Sequence, residues 1–292
     1  EKIDSRTYAV IIDDKRTVWL IKGRRNVLVD VGYPSDIGDV YLGLEKVSMK
    51  PRDIHYLLLT HIHRDHAGGV GNISRKNPAL KVFVHEKGAA NIVNPEKLVL
   101  SVKRVYGEEY DRMGEILPVP RRDMVVPVKA GDTVDLGDSV IDVYYTPGHA
   151  KHHVVYFDRV SRSVFSGDAL GSKYKDLPSF VLCPPPEYDR ESAKESIDMI
   201  ESLNPRRINF THCGPYSVEE SKDFFSNLKR KHDRWTECLV EIVKENGALG
   251  EDEVFEQFLE KMPGLKEYHD QYVSFRLSVG GILLYLKKKG VI

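Results

Sequence analysis

Three imidazoles and a carboxylate fall within six consecutive positions, His61-Ile62-His63-Arg64-Asp65-His66, directly behind the apolar run Tyr56-Leu57-Leu58-Leu59-Thr60. That density has no economical structural explanation. It restricts the fold, because the run reads as a buried strand and the cluster must then sit where a sheet edge meets a loop. In an extended segment side chains two apart share a face, so His61 and His63 can converge on one ion. Asp65 and His66 are adjacent, and Ala67-Gly68-Gly69 is expected to turn the chain, which aims this pair at a second point nearby. A mixture of neutral imidazoles and carboxylates suits zinc first, with iron and manganese as alternatives.

One hexapeptide cannot fill two coordination shells, and three further candidates follow short apolar runs. Val140 to Tyr145 reads as a strand leading into Thr146-Pro147-Gly148-His149, where the Pro-Gly pair forces a tight turn. Val154 to Asp158 and Ser163 to Phe165 read as a hairpin that ends in Ser166-Gly167-Asp168. Ile208 to Thr211 delivers His212. A His-rich segment can also be a solvated loop, but these downstream echoes favour a metal site.

The ordered set Thr-His-x-His-x-Asp-His, Thr-Pro-Gly-His, Ser-Gly-Asp and Thr-His resembles the metallo-β-lactamase-fold hydrolases over about residues 1 to 230. The resemblance implies a four-layer αββα sandwich of the α/β class. It also implies that His61, His63 and His149 hold one divalent metal ion, that Asp65, His66 and His212 hold another, and that Asp168 bridges the two. Asp30, in Val27-Leu28-Val29-Asp30-Val31-Gly32, matches a family position that supports ligands without being one. The stretches His61 to Gly69, Pro95 to Pro120 and Pro184-Pro185-Pro186 are most similar to the glyoxalase II-like branch. Of the other histidines, His55, His85, His152, His153, His232 and His269 read as core or surface residues, with His85 and His153 the best placed to reach the site.

Along the chain, Thr7 to Ile12, Thr17 to Ile21 and Arg25 to Asp30 read as a β-meander, and Asp36 to Val47 as a helix. Lys81 to His85 is another strand. Residues 88 to 127 turn polar and aromatic, with Tyr106, Tyr110, Pro118 and Pro120, and read either as a lid or as a surface helical hairpin. Gly171 to Asp189, with Tyr174, Phe180 and Cys183, must cross the surface near Asp168, because its proline triplet cannot enter a sheet. Glu191 to Leu203 reads as a helix. From Val218 the pattern is helical only, with apolar faces at Trp235/Leu239/Ile242, Val254/Phe255/Phe258 and Val273/Leu277/Ile282/Leu286. The expected organisation is a catalytic domain over 1–217 and a helical extension over 218–292. Residues 283–292 resemble the last helix and first strand of a winged-helix module.

The 43 Lys and Arg nearly balance 44 Asp and Glu, for a net charge of −1, so no basic field advertises nucleic acid. Residues 229–292 carry 11 basic and 11 acidic side chains, which disfavours a DNA or RNA reader and favours substrate capping or homodimerisation. The three cysteines are too scattered for a disulfide framework. There is neither a long apolar run nor a signal-peptide pattern, so a cytoplasmic enzyme with a small-molecule substrate and no membrane span is expected.

Two neighbouring cations lower the pKa of a shared water, so the expected chemistry is hydrolysis by a hydroxide bridging two metal ions, with Asp65 and Asp168 orienting it. Tyr216 is a candidate to hydrogen-bond substrate, set against ordinary packing on the sheet. By resemblance the bond cleaved is a thioester or a lactone or other ester. The alternatives are a phosphodiesterase or ribonuclease of the same fold, a mononuclear-iron persulfide dioxygenase, and a non-catalytic metal-stabilised binding protein. His63 stands where flavodiiron proteins carry Glu, which disfavours that reading, and a cytoplasmic location disfavours a β-lactamase proper.

Overall fold

Alternation along the strands sets the layers. The computed structural model describes residues 1–107, 109–173, 180–220, 222–247, 249–266 and 274–292. The first sheet runs in chain order, β1 (Thr7–Ile11), β2 (Thr17–Ile21), β3 (Asn26–Val29), β4 (Ile54–Leu58), β5 (Lys81–His85) and β6 (Val125–Val128). The second contains β7 (Thr133–Asp135), β8 (Val140–Tyr145), β9 (Val154–Asp158), β10 (Ser163–Gly167), β11 (Arg207–Phe210) and β12 (Gly214–Ser217), again neighbours in sequence order. Every residue of β2 is buried, because Val18 and Leu20 face an outer core while Trp19 and Ile21 face an inner one. The Asp13 carboxylate accepts from the Lys15 and Arg16 amides and closes the β1–β2 turn.

The inner core joins the sheets, with Trp19, Val27, Val29 and Leu58 from one meeting Ile141, Val143, Tyr156 and Phe165 from the other. The outer face of the first sheet is covered by α1 (Ile37–Glu45), α3 (Val70–Lys76) and α4 (Glu86–Val93) through Val40, Leu44, Ile73 and Ile92. That of the second sheet is covered by α7 (Arg190–Ser202) and α8 (Phe224–Asn246) through Ile197, Ile200, Phe224 and Leu228. This is the expected four-layer αββα sandwich.

Residues 88 to 127, read from sequence as lid or hairpin, are largely helical. They form the end of α4, then α5 (Glu96–Tyr106) and α6 (Glu109–Arg112), and they pack a small cluster of Val102, Tyr110 and Ile116. After α8 come α9 (Glu251–Lys261), α10 (Pro263–Lys266) and α11 (Ser274–Lys288). Trp235, Leu239, Phe258 and Ile282 share a core with Val181, Leu182 and Tyr188, so the C-terminal helices pack on the segment that follows Asp168. The strand expected after the last helix is absent: α11 continues to Lys288, and residues 289–292 form no strand. Tyr174, His269 and Val273 lie outside the described residues. No described helix is long and apolar enough to cross a membrane.

Candidate metal centre

Asp30 follows β3, the hexapeptide follows β4, Asp168 follows β10 and His212 follows β11, so all of them leave the same end of the two sheets. Parallel pairing of β3 with β4 and of β10 with β11 makes this so. The sheets are pinned together beside it. The Trp19 indole donates to the Phe210 carbonyl at 3.1 Å, and the Tyr156 hydroxyl donates to the Leu59 carbonyl at 3.0 Å.

Three sets of ligand atoms converge, each mutually within 4.8 Å: His61, His63 and His149; His61, His66 and Asp168; Asp65, His66 and His212. All seven side chains singled out in the sequence therefore meet at one place. His61 and His63 converge as expected. Asp65 and His66 do so from a single helical turn, α2 (Arg64–Ala67), and the expected turn follows at Gly68 and Gly69 before α3 begins. A Cβ at Gly68 would sit 2.6 Å from the Pro34 ring, so this glycine permits close packing.

Most of the imidazoles have one nitrogen occupied outward and the other turned inward. His149 Nδ1 donates to the Cys183 carbonyl at 2.7 Å, and His212 Nδ1 to the Lys15 carbonyl at 3.0 Å. His66 Nδ1 meets the Asp30 carboxylate at 2.8 Å. His61 Nδ1 lies 3.1 Å from the Thr60 hydroxyl, which itself donates to Asp30. Such partners fix ring orientation and turn Nε2 towards the centre, where a cation could be bound. His63 is the exception, with Nδ1 turned inward to within 2.9 Å of His149 Nε2.

Asp30 is the hub, fully buried and in the left-handed region at φ 58°, which aspartate tolerates better than most residues. Its carboxylate also accepts from the Thr60 amide and the Thr211 hydroxyl. Asp168 faces both halves of the centre: Oδ1 lies 3.4 Å from His66 Nε2 and 3.5 Å from His212 Nε2, and Oδ2 lies 3.4 Å from His149 Nε2. The Asp168 amide donates to His153 Nε2, so this histidine does reach the site, whereas His85 instead stacks on Tyr145.

Charge follows the same layout. Burial opposes a proton on His66 and His212, but Asp168 and Asp65 outweigh it and raise both. Burial opposes charge on Asp65 and Asp168 too, yet the surrounding imidazoles hold both carboxyls well below the usual range. Burial, reinforced by the neighbouring His66, His63, His149 and His153 imidazoles, depresses His61, and burial with His149 alongside takes His63 down to about 3.

Buried polar atoms without hydrogen bonds are rare because each bears an uncompensated desolvation cost. Here His61 Nε2, His66 Nε2 and Asp168 Oδ1 are all buried without a hydrogen-bond partner among the described residues, and all lie in the same ligand-atom set. These residues fit divalent cations.

Sequence reasoning missed four contributors. Arg64, almost fully buried, donates to the Tyr110 and Gly114 carbonyls and so ties the segment after α5 to the motif. Burial together with the Asp65 charge pushes up the phenols of both Tyr33 and Tyr106. Thr211 had a legible signal, since both Thr60-His61 and Thr211-His212 place a threonine before a ligand candidate. Tyr216 belongs to packing, its ring 5.0 Å from both Phe180 and Phe224.

Residues 12–212 match the family model described as the metallo-beta-lactamase superfamily. The chain is 27% identical over 256 residues to a metallo-beta-lactamase fold-containing protein of Sulfurisphaera tokodaii, covering 86% of this chain and 90% of that one. It is 31% identical over 146 residues to the hydroxyacylglutathione hydrolase of Buchnera aphidicola, a match that takes in 50% of this chain and only 43% of the relative. Among solved structures, a metallo-beta-lactamase family protein from Thermus thermophilus superposes with a TM-score of 0.74 at 20% identity, over 99% of this chain and 95% of that one. With its sandwich, its His/Asp cluster and this match, the chain belongs to the metallo-beta-lactamase superfamily and is one of its hydrolases.

Proposed function

We propose that the chain hydrolyses a thioester, or a lactone or other ester, at a centre of two divalent ions, with residues 1–217 as catalytic domain and 218–292 as extension. The observation that carries the reading is the position of Asp168, with one carboxylate oxygen towards His66 and His212 and the other towards His149. His61, His63 and His149 would hold one ion and Asp65, His66 and His212 the other, with Asp168 between them and zinc the best match to the mixed donors. Bound there, such a pair supplies an activated water near neutral pH and polarises the oxygen of the bond under attack.

The protein's own groups do the rest. Asp65 and Asp168 stay ionised, so they can orient a water and take its hydrogen bond. Asp30 holds His66 directly and His61 through the Thr60 hydroxyl. The phenols of Tyr33 and Tyr106 stay protonated beside Asp65 and can donate to a substrate oxygen. The likeness to hydroxyacylglutathione hydrolases, whose matched stretch includes less than half their length, supports the thioester class. A small-molecule substrate and a cytoplasmic setting belong to the same reading.

Metal analysis combined with a panel of acylglutathione thioesters, lactones, bis-p-nitrophenyl phosphate and a short RNA tests it. Two ions per chain and turnover of a thioester or lactone are expected. Cleavage of RNA with every ester left intact would replace this reading by a phosphodiesterase.

A further inference from the structure

Between Phe180 and Pro186 the chain forms a strap over the His149 side of the centre. Its Cys183 carbonyl accepts a hydrogen bond from His149 Nδ1 at 2.7 Å, so the position of the strap sets the orientation of that imidazole. One edge of the strap is held by the loop behind Asp168. There Ser172 and Val181 exchange backbone hydrogen bonds at 2.8 and 2.9 Å. The other edge rests on α11. A Cβ at Gly281, in the middle of that helix, would lie 2.1 Å from the Pro184 carbonyl oxygen and 2.6 Å from that of Pro185. The Ser278 hydroxyl donates to the Leu182 carbonyl at 3.2 Å, and Lys288 Nζ to that of Pro186 at 3.0 Å. The helix backbone and strap backbone are thus in direct contact, and only a glycine fits between them.

We infer that α11 is a positioning element for the His61/His63/His149 half of the centre, acting through the strap, with Gly281 setting the distance between helix and Cys183 carbonyl. This rests on the two-ion reading above. It gives the C-terminal extension a task inside its own chain: it presses on the partner of His149, while His66 and His212 take their orientation from Asp30 and Lys15, which the strap does not hold. Adding a methyl group at Gly281 must displace the strap, and displacing a ligand's hydrogen-bond partner costs about 10- to 100-fold in metal affinity.

The same helix supplies the control. Gly280 precedes Gly281, and a Cβ there meets nothing within 4 Å. Apo protein is titrated with cobalt against a competing chelator, with the visible absorption recorded and folding checked by far-UV circular dichroism. Wild type and Gly280→Ala are expected to bind two ions with matching spectra. Gly281→Ala is expected to keep one ion tightly and to bind the other about 10- to 100-fold more weakly. Its one-ion spectrum should coincide with that of His149→Ala.

A folded Gly281→Ala that holds both ions as tightly as wild type sinks the inference and leaves the hydrolase reading standing. A wild-type chain that binds no cobalt sinks both. Should Gly281→Ala fail to fold, Ser278→Ala combined with Lys288→Met removes the helix's two side-chain tethers to the strap. Selective weakening of one ion is again expected, and unchanged affinity for both counts against the proposal.

Discussion

Asp30 shows how much can rest on one side chain. Four donors, the Thr60 amide, the Thr60 and Thr211 hydroxyls and the His66 ring, share a carboxylate with no exposure to solvent. Removing a buried charge that satisfies its neighbours costs about 3–5 kcal/mol. Asp30→Ala is therefore expected to lower the denaturant midpoint by that equivalent and to weaken metal binding by about 10- to 100-fold, measured by chelator competition. Histidine titration gives a second prediction, for the metal-free chain. Burial holds His61, His63, His149 and His153 below the ordinary value of 6.5. The unfolded chain protonates these groups as pH falls through 6.5 while the folded chain resists, so each loses stability on acidification, His63 down to about 3. His66 and His212, raised by their carboxylates, act with the opposite sign, since their contribution is complete below 6.5 and is lost as pH rises through their folded values. The lowered set is the larger. Urea midpoints of apo protein should fall between pH 7.5 and pH 5, and in a separate measurement the metal content of loaded protein should fall over the same range because ligands must be deprotonated; a midpoint that rises would refute the assignment of neutral imidazoles.

Among the elements, β10 does the most to place the site. It pairs parallel to β11 and antiparallel to β9, and it ends at Gly167, where φ is +47°. A Cβ there would approach the Thr60 hydroxyl at 2.6 Å and His153 Nε2 at 2.8 Å, two groups that hold other parts of the centre. Gly167→Ala thus combines an unfavourable backbone with a clash, and a loss of about 1–3 kcal/mol from the backbone conformation alone is expected. Thermal unfolding together with metal stoichiometry would show it, and an unchanged melting temperature would contradict it. Strands such as Thr17–Ile21 and Val154–Asp158 were legible to the residue because alternation and β-branched composition are local signals. Residues 96–112 were legible only as a choice between a lid and a surface helical hairpin, and they are helical; an apolar face that covers only a small cluster leaves little local signal to separate the two.

For the molecule as a whole, the centre draws together loops from one end of two sheets that a shared apolar core already joins. Chelation should leave His61, His66 and Asp168 with uncompensated buried atoms and lower the melting temperature, and restoring zinc should recover both stability and ester hydrolysis. Persistence of hydrolysis after complete metal removal would exclude the proposed chemistry. The sequence by itself marked most of the strands, though not β6, β7 or β12, together with the helical tail and the seven candidate ligands, because each of these follows from spacing and composition within a few residues. The family resemblance, not spacing, marked Asp30 as a support. What only the tertiary structure decided is who holds whom: Asp168 between two imidazole groups, Arg64 gripping the Tyr110 segment, and Gly281 against the strap that orients His149. Those contacts join residues tens to more than a hundred positions apart. Their distances are set by strand register and by helix packing on the far side of the sheet, which no local pattern of residues encodes.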